Sequence, residues 1–178
     1  YNLRSLVAAG TLLDEHPFET VTFVENHDTA VHDPIVSDKM LAYSYILTHE
    51  GYPCVFWQDY FNWNLAQEGT PFGIAALVHE SAAGGATAIL HLDDTLYIMQ
   101  RIGSKTQPGL VYALNSSPHG WNGSRVQTQW KNTRLVPVAW RGADNDTAPQ
   151  EQYTDAEGWA EIWSPTRGYA VYTPDQGS

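Results

Sequence analysis

The chain has 178 residues, with 20 acidic side chains against 9 basic ones and a formal net charge of −11. A surface this acidic repels phosphate backbones and anionic lipid headgroups, so nucleic acid and membranes are excluded as expected partners. The single cysteine, Cys54, rules out an internal disulfide bond. Because Cys54 lies in an apolar run, we expect its thiol to be buried and inert.

The first third of the chain predicts a helix and then a strand. Leucine and valine recur at helical spacing within residues 1–9, and Gly10 can end that helix. The apolar run 21–24 predicts a buried parallel strand. Four polar residues, 25–28, follow it without a spacer. Polar side chains directly after such a strand are typical of the active-site face of a (β/α) barrel.

An amphipathic helix and a second strand come next. Ser37 is the predicted N-cap, and the helix is expected to end at Gly51. The apolar run 54–57 then predicts another buried strand. Strand, helix and strand in this order form a βαβ unit, in which the two strands are parallel neighbours. Thr70 and Pro71 predict the start of a further helix.

From residue 87 onward, helical periodicity gives way to short runs separated by Gly, Pro, Asn and Asp. Six strands are predicted, at residues 96–101, 110–115, 125–130, 135–140, 159–163 and 169–173. Such a series predicts an antiparallel β-sandwich. The fold class is therefore α/β followed by all-β, with a boundary near residue 84.

These segments resemble the α-amylase family of glycoside hydrolases. Residues 23–29 (Phe-Val-Glu-Asn-His-Asp-Thr) are similar to the family signature that ends the seventh barrel strand, and 42–60 are similar to the passage from helix seven to strand eight. Trp57 and Gln58 replace the usual Tyr and Gly of that passage. The resemblance implies that 1–84 is part of a (β/α)₈ barrel, from helix six to helix eight. It also implies that 85–178 is a Greek-key β-sandwich, whose ending is similar to the bacterial liquefying type.

The resemblance also implies residue roles. Asp28 matches the family's third catalytic carboxylate, which stabilises the transition state, and His27 matches a ligand of the sugar hydroxyls. Asn26, Asp59 and Trp57 are further expected substrate contacts. The implied reaction is endo-hydrolysis of α-1,4-glucosidic bonds in starch or glycogen with retention.

Retaining glycosidases also need a nucleophile and an acid/base carboxyl group, about 5 to 5.5 Å apart. The family motifs that carry these two groups do not occur in this sequence. We therefore expect a fragment of a longer enzyme that is inactive alone. If the chain were active alone, Glu25, Asp33 and Asp59 would be the first replacement carboxylates to test.

Calcium is the cofactor that the resemblance implies, although the main family site draws on barrel segments absent here. Asp94, with Asp93 beside it, matches by position a ligand of a second site between barrel and sandwich, where Ser116 replaces another expected Asp. The expected substrate is an α-glucan polysaccharide, and a polymeric substrate implies an extracellular protein. A second copy or the remaining barrel segment is expected to cover the open strand edges.

Other functions stay open at this stage. A non-catalytic carbohydrate-binding module would use exposed tryptophans such as Trp121, Trp130 or Trp140. A degenerate structural remnant would pack on a partner chain. The Asn-His-Asp sequence at 26–28 favours an enzyme, because a binding module has no use for it. A transglycosylase or a branching enzyme shares the same motif.

Overall fold

The computed structural model describes residues 2–7, 9–80, 83–143 and 147–175. Helices concentrate before residue 81 and strands after it. The helical elements are a 3₁₀ helix at Leu3–Val7, α1 (Leu12–Glu15), α2 (Thr29–His32), α3 (Lys39–Thr48), a π-helical turn at Gln58–Asn62, and α4 (Ile74–Glu80). The strands are β1 (Val21–Phe23), β2 (Tyr52–Cys54), β3 (Thr87–Leu92), β4 (Leu96–Arg101), β5 (Leu110–Asn115), β6 (Asn122–Gln127), β7 (Arg134–Arg141), β8 (Gln152–Tyr153), β9 (Trp159–Ser164) and β10 (Gly168–Pro174).

The strands β1 and β2 pair in parallel, with Val21 opposite Tyr52 and Phe23 opposite Cys54. The predicted parallel pairing is confirmed, but the barrel to which we assigned it is not. The expectation of buried strands is wrong for this chain, because Val21, Phe23 and Tyr52 are at least half exposed. Cys54 is exposed as well, which corrects the prediction of a buried thiol. The physical reason is that this sheet has two strands in the described chain and no element covers the face that carries these exposed side chains.

Two predicted helix starts are also corrected. The N-cap of α3 is Asp38, in a left-handed conformation (φ 56°), rather than Ser37. The last helix before the sandwich, α4, begins at Ile74 rather than at Thr70 or Pro71. Thr70 instead belongs to a turn, in which its hydroxyl donates to the Gln67 carbonyl at 2.7 Å. A side-chain hydrogen bond within the turn therefore delays the helix.

The C-terminal part is antiparallel, as predicted. A six-stranded sheet has the order β3-β4-β5-β10-β7-β8, and a separate two-stranded sheet pairs β6 with β9. The strands β4 and β5 have the predicted bounds, whereas β3 and β8 were not predicted individually. A register shift interrupts β3 between Ile89 and His91, and β8 has only two residues, so neither shows a regular alternation.

The six-stranded sheet is covered on both faces. One face packs on the small sheet through side chains such as Ile98, Val111 and Ile162. The opposite face packs on the helices through a second cluster that includes Tyr97, Tyr112, Tyr43, Leu47 and Ile74. Every residue of β4 and β5 is therefore buried. The predicted boundary at residue 84 separates a sequence with helical periodicity from one with short strand-like runs, but the two regions share a core.

Arg101 ties the two regions together by hydrogen bonds. This side chain of β4 is 4% exposed. Its Nε donates to the Gly85 carbonyl at 3.0 Å and its Nη1 donates to the Thr48 carbonyl at 3.1 Å, at the C-terminal end of α3. The Glu50 carboxylate nearby accepts the Thr87 amide at 2.5 Å. Burial lowers the pKa of Arg101, and the charge of Glu50 opposes that effect.

We expect Arg101→Met to lower the free energy of unfolding by about 2–3 kcal/mol, because the buried Thr48 carbonyl and the partly buried Gly85 carbonyl lose their donor. Urea-induced unfolding at pH 7 measures this change. The matched control is Arg4→Met, whose ion pair with Asp94 is exposed and should contribute little. Equal midpoints for the two variants would contradict the role given to Arg101.

Candidate functional site

Asn26 organises the turn at the carboxyl end of β1. Its Oδ1 accepts the amides of Asp28 at 2.9 Å and of Thr29 at 3.0 Å. The Thr29 hydroxyl accepts the Asn26 amide at 3.0 Å in return. This reciprocal bracing satisfies amide groups at the start of α2, as an N-cap side chain does. Asn26, predicted to contact substrate, is thus placed as the residue that shapes the turn.

The bracing leaves His27 and Asp28 facing solvent. Their side chains are 85% and 80% exposed, and His27 Nε2 lies 3.5 Å from Asp28 Oδ1. Asp28 occupies the N-cap position of α2, but its carboxylate makes no capping hydrogen bond. The carboxylate is therefore not used for capping and is accessible to a ligand. This is the arrangement that a residue binding hydroxyl groups requires.

A cluster of buried polar groups lies behind this turn; we call Glu25, Lys39, Tyr43 and Asp59 the buried charge cluster. Lys39 Nζ donates to Glu25 Oε2 at 2.8 Å and to Asp59 Oδ1 at 2.6 Å. The Tyr43 hydroxyl donates to Asp59 Oδ2 at 2.5 Å. Glu25, Lys39 and Asp59 are each no more than 5% exposed. Glu25 follows β1 and Asp59 follows β2, so the cluster fixes the carboxyl ends of both strands together.

The carboxylates of the buried charge cluster raise the pKa values of Lys39 and Tyr43. Burial by itself lowers the pKa of Lys39, but hydrogen bonds from Lys39 to Asp59 and Glu25 outweigh it, and the net shift is upward. Burial and the hydrogen bond to Asp59 both raise the pKa of Tyr43. Lys39 Nζ also lies 3.9 Å from the centre of the Trp63 ring, which adds a cation–π contact. Lys39 is therefore held as a cation.

The chain is similar to known proteins over all or part of its length. Residues 110–173 match the family profile described as "Alpha-amylase C-terminal". The α-amylase of Geobacillus stearothermophilus is 26% identical over an alignment that covers 98% of this chain and 32% of that protein. The chain is similar to proteins of the α-amylase family. It matches the C-terminal part of the family's proteins and spans about a third of the length of that relative.

Other comparisons agree with this assignment. The barley (Hordeum vulgare) "Alpha-amylase type B isozyme" is 39% identical over 34% of this chain and 42% of its own length. A solved cyclomaltodextrin glucanotransferase, CldA, superposes with a TM-score of 0.64 at 19% identity, over 97% of this chain and 40% of that one. An α-amylase from Malbranchea cinnamomea gives 0.60 at 14% identity, over 89% and 37%. At these identities the two structures show the fold alone.

Of the other two predicted substrate contacts, Asp59 is buried and Trp57 is exposed. Asp59 is 1% exposed and both its carboxylate oxygens are engaged, so it supports the site from within. Trp57 is 61% exposed and lies against Phe61, with ring centres 4.9 Å apart. Sequence reasoning missed Lys39 and Tyr43. The available signal was a lysine, with a tyrosine four residues later, at the start of an otherwise apolar helix.

The predicted calcium ligands do not fit a calcium site. Asp93 Oδ1 accepts the amides of Thr95 and Leu96 at 2.7 and 2.8 Å, and Oδ2 pairs with His91 at 3.0 Å. Burial raises the pKa of Asp93, but these partners outweigh it and hold it at about 2. Asp94 Oδ1 accepts from Arg4 at 2.7 Å. Within the described ranges, no group of three His, Cys, Asp or Glu side chains could hold a metal ion.

Among the residues that the structure describes, no helix combines the length and apolar character needed to span a bilayer.

Proposed function

We propose that this chain is the C-terminal part of a glycoside hydrolase of the α-amylase family that cleaves internal α-1,4-glucosidic bonds of starch or glycogen with retention. The observation that carries the proposal is the exposed pair His27 and Asp28, held by Asn26 where β1 ends beside β2. The names of relatives support it, among them a "Glucan 1,4-alpha-maltohexaosidase" of a Bacillus strain.

In this proposal Asp28 stabilises the transition state. Its exposed carboxylate accepts hydrogen bonds from the sugar hydroxyls and favours the positive charge that develops on the oxocarbenium-like ring. His27 binds the same ring. The hydrogen bonds of Asn26 and the buried charge cluster behind it hold the backbone of the turn in place before substrate arrives, so the backbone that carries both residues needs little ordering during the reaction.

The nucleophile and the acid/base group would come from the remaining barrel segment. The exposed side chains of Val21, Phe23 and Tyr52 are the surface that this segment would cover. A groove of about 510 Å³ beside Phe23, lined also by Leu6 and Leu41, would receive further apolar side chains. A polymeric substrate places the complete protein outside the cell in this proposal.

The second candidate is a non-catalytic module that packs on a partner chain. The same exposed apolar surface favours it, because covering that surface requires a partner but no chemistry. The two candidates differ in what Asp28 does. The hydrolase requires its carboxylate, whereas a packing module does not.

The first test is a reducing-sugar assay on soluble starch with the pure 178-residue chain and its Asp28→Ala variant. We expect no product from either, because two catalytic carboxyl groups are missing. Activity that is lost in Asp28→Ala would contradict this expectation and would mean that the chain assembles a complete site.

The decisive test uses a longer protein, in which this chain replaces the matching C-terminal part of the Geobacillus stearothermophilus α-amylase. There, Asp28→Ala should lower kcat by about 100-fold or more, because transition-state stabilisation is lost. Asp33→Ala, which removes an exposed carboxylate five residues away, is the matched control and should keep activity. Equal activity of the two variants would favour the packing module.

A further inference from the structure

The outer face of the small sheet carries tryptophans and polar side chains in alternation. On β9, Ala160 and Ile162 are buried, whereas Trp159, Glu161 and Trp163 are exposed. Directly paired residues of antiparallel strands share a face. Trp159 therefore shares its face with Gln127, Glu161 with Arg125, and Trp163 with Gly123.

Trp163 lies flat across the neighbouring strand. A Cβ atom added to Gly123 would meet Trp163 Cδ2 at 2.5 Å and Cε3 at 2.8 Å, so one face of the ring rests on the glycine. The residue is nevertheless 40% exposed, which leaves part of the ring open to solvent. Trp121, two residues before Gly123, falls at the next outward position and is 38% exposed.

Trp159 is oriented by a charged neighbour. The Arg125 guanidinium lies 5.6 Å from the centre of the Trp159 ring and pairs with Asp155 at 3.1 Å. The arginine therefore holds the ring in place while its own charge is compensated. Trp159 is 38% exposed. We call Trp121, Trp159 and Trp163, with Arg125 and Glu161, the tryptophan face.

The composition of the tryptophan face indicates its ligand. Glutamate is depleted at protein–protein interfaces, but here the exposed Glu161 lies between Trp159 and Trp163 on the same face of β9. A matching ligand needs apolar faces to stack on indole rings and polar groups around its edge to pair with charged side chains. A sugar ring has both properties, because its C–H faces are apolar and its hydroxyls lie at the edge.

We propose that the tryptophan face binds a neutral glucan chain. Trp159 and Trp163 are four residues apart on one strand, a separation of roughly 13 Å, so one sugar unit cannot reach both and an oligomer is required. The net charge of −11 disfavours anionic polymers. That the glucan is α-1,4-linked rests on the proposed function; that this face binds sugar does not.

The tryptophan face differs from the set of tryptophans that the sequence suggested for a carbohydrate-binding module. Trp130 and Trp140 are partly buried and pack against the sandwich core, so they are not available for stacking on a sugar. The Trp140 ring also contacts Phe72, with ring centres 5.9 Å apart. Of the three tryptophans named from the sequence, Trp121 alone belongs to the tryptophan face.

The test is affinity electrophoresis of the full 178-residue chain in native gels containing soluble starch, dextran or no polysaccharide. Starch should retard the chain, and dextran, which is mainly α-1,6-linked, should not. Trp159→Ala and Trp163→Ala should each weaken binding by about tenfold, because one stacking surface is lost. Trp163→Phe, which keeps an aromatic face, should retain most of the binding. Tyr153→Ala is the control, since it removes an exposed aromatic ring of β8.

Three results would overturn the proposal. They are no retardation of the unmodified chain by starch, unchanged retardation of both alanine variants, or sedimentation showing that the tryptophans support a dimer instead. Equal retardation by dextran would overturn the α-1,4 preference. Because the readout is binding rather than hydrolysis, failure here leaves the Asp28 test in the longer protein unaffected.

Discussion

Replacing Lys39 with methionine is expected to lower the free energy of unfolding by about 3–5 kcal/mol, the cost of breaking a buried ion pair. The methionine fills a similar volume, but Glu25 and Asp59 then lose the cation that both contact. The Tyr43 hydroxyl and the Ile35 amide remain as partners, and neither carries a compensating charge. Thermal unfolding should shift downward by about 10 °C for a chain of this size.

Two further variants make this prediction specific to the buried charge cluster. Lys105→Met removes an exposed lysine and should leave the unfolding temperature nearly unchanged. Glu25→Gln leaves Lys39 with one carboxylate, Asp59, so it should destabilise less than Lys39→Met does. Stability of Lys39→Met equal to that of Lys105→Met would show that the cluster does not hold the strand ends together.

The second large effect is acid destabilisation through His49. This residue is 6% exposed and stacks on Tyr45, with ring centres 3.8 Å apart. Its Nδ1 lies 2.7 Å from the Tyr45 carbonyl and its Nε2 lies 2.9 Å from the Tyr97 hydroxyl. With Nδ1 as the donor and the Tyr97 hydroxyl donating to Nε2, the ring is neutral. Burial lowers the pKa of His49 from 6.5 to about 4.

The direction of the pH effect follows from this depressed pKa. The unfolded chain takes up a proton near pH 6.5, whereas the folded chain does so near pH 4. The contribution of the neutral His49 ring to the free energy of unfolding is therefore fully present above pH 6.5. It is lost as the pH falls toward 4, by about 3 kcal/mol in all. Charged groups facing the ring are Glu50 and Arg101. The pKa of Glu50 is also lowered, so its contribution is lost as the pH falls below 4.5, at the acid end of this window.

Urea-induced unfolding between pH 7 and pH 4 tests this prediction. His49→Gln, which stays neutral, should be less stable than the unmodified chain at pH 7 but should lose less stability toward pH 4. His119→Gln removes an exposed histidine and should leave the original pH dependence intact. If His49→Gln shows the full pH dependence of the unmodified chain, another group is responsible.

Sequence patterns predicted the elements whose structure depends mainly on neighbouring residues in the chain. The alternation in β9 and the unbroken apolar runs of β4 and β5 gave those strands within one residue. The parallel pairing of β1 with β2 followed from a strand–helix–strand order, which leaves few other topologies. The short signature at 26–28 singled out Asp28, whose carboxylate makes no capping hydrogen bond and whose role in binding hydroxyl groups stays a prediction.

Burial and charge pairing, by contrast, depend on residues far apart in the chain. Cys54 lies in an apolar run, yet it is exposed because the described sheet has no third strand to cover it. Asp59 looked like a substrate contact, but Lys39 and Tyr43 reach it from α3 and bury it. Trp163 becomes a flat surface ring because Gly123, forty residues earlier, lies directly beneath it.

The sequence by itself therefore indicated the resemblance to α-amylases, the antiparallel C-terminal part and the residue at which hydroxyl binding is expected. It did so because strand periodicity and a short polar signature are local properties of the chain. The tertiary structure alone decided which carboxylates are exposed to solvent and which are held in buried hydrogen bonds. It also decided which tryptophans face solvent, because each of these properties depends on what a distant segment places against the side chain.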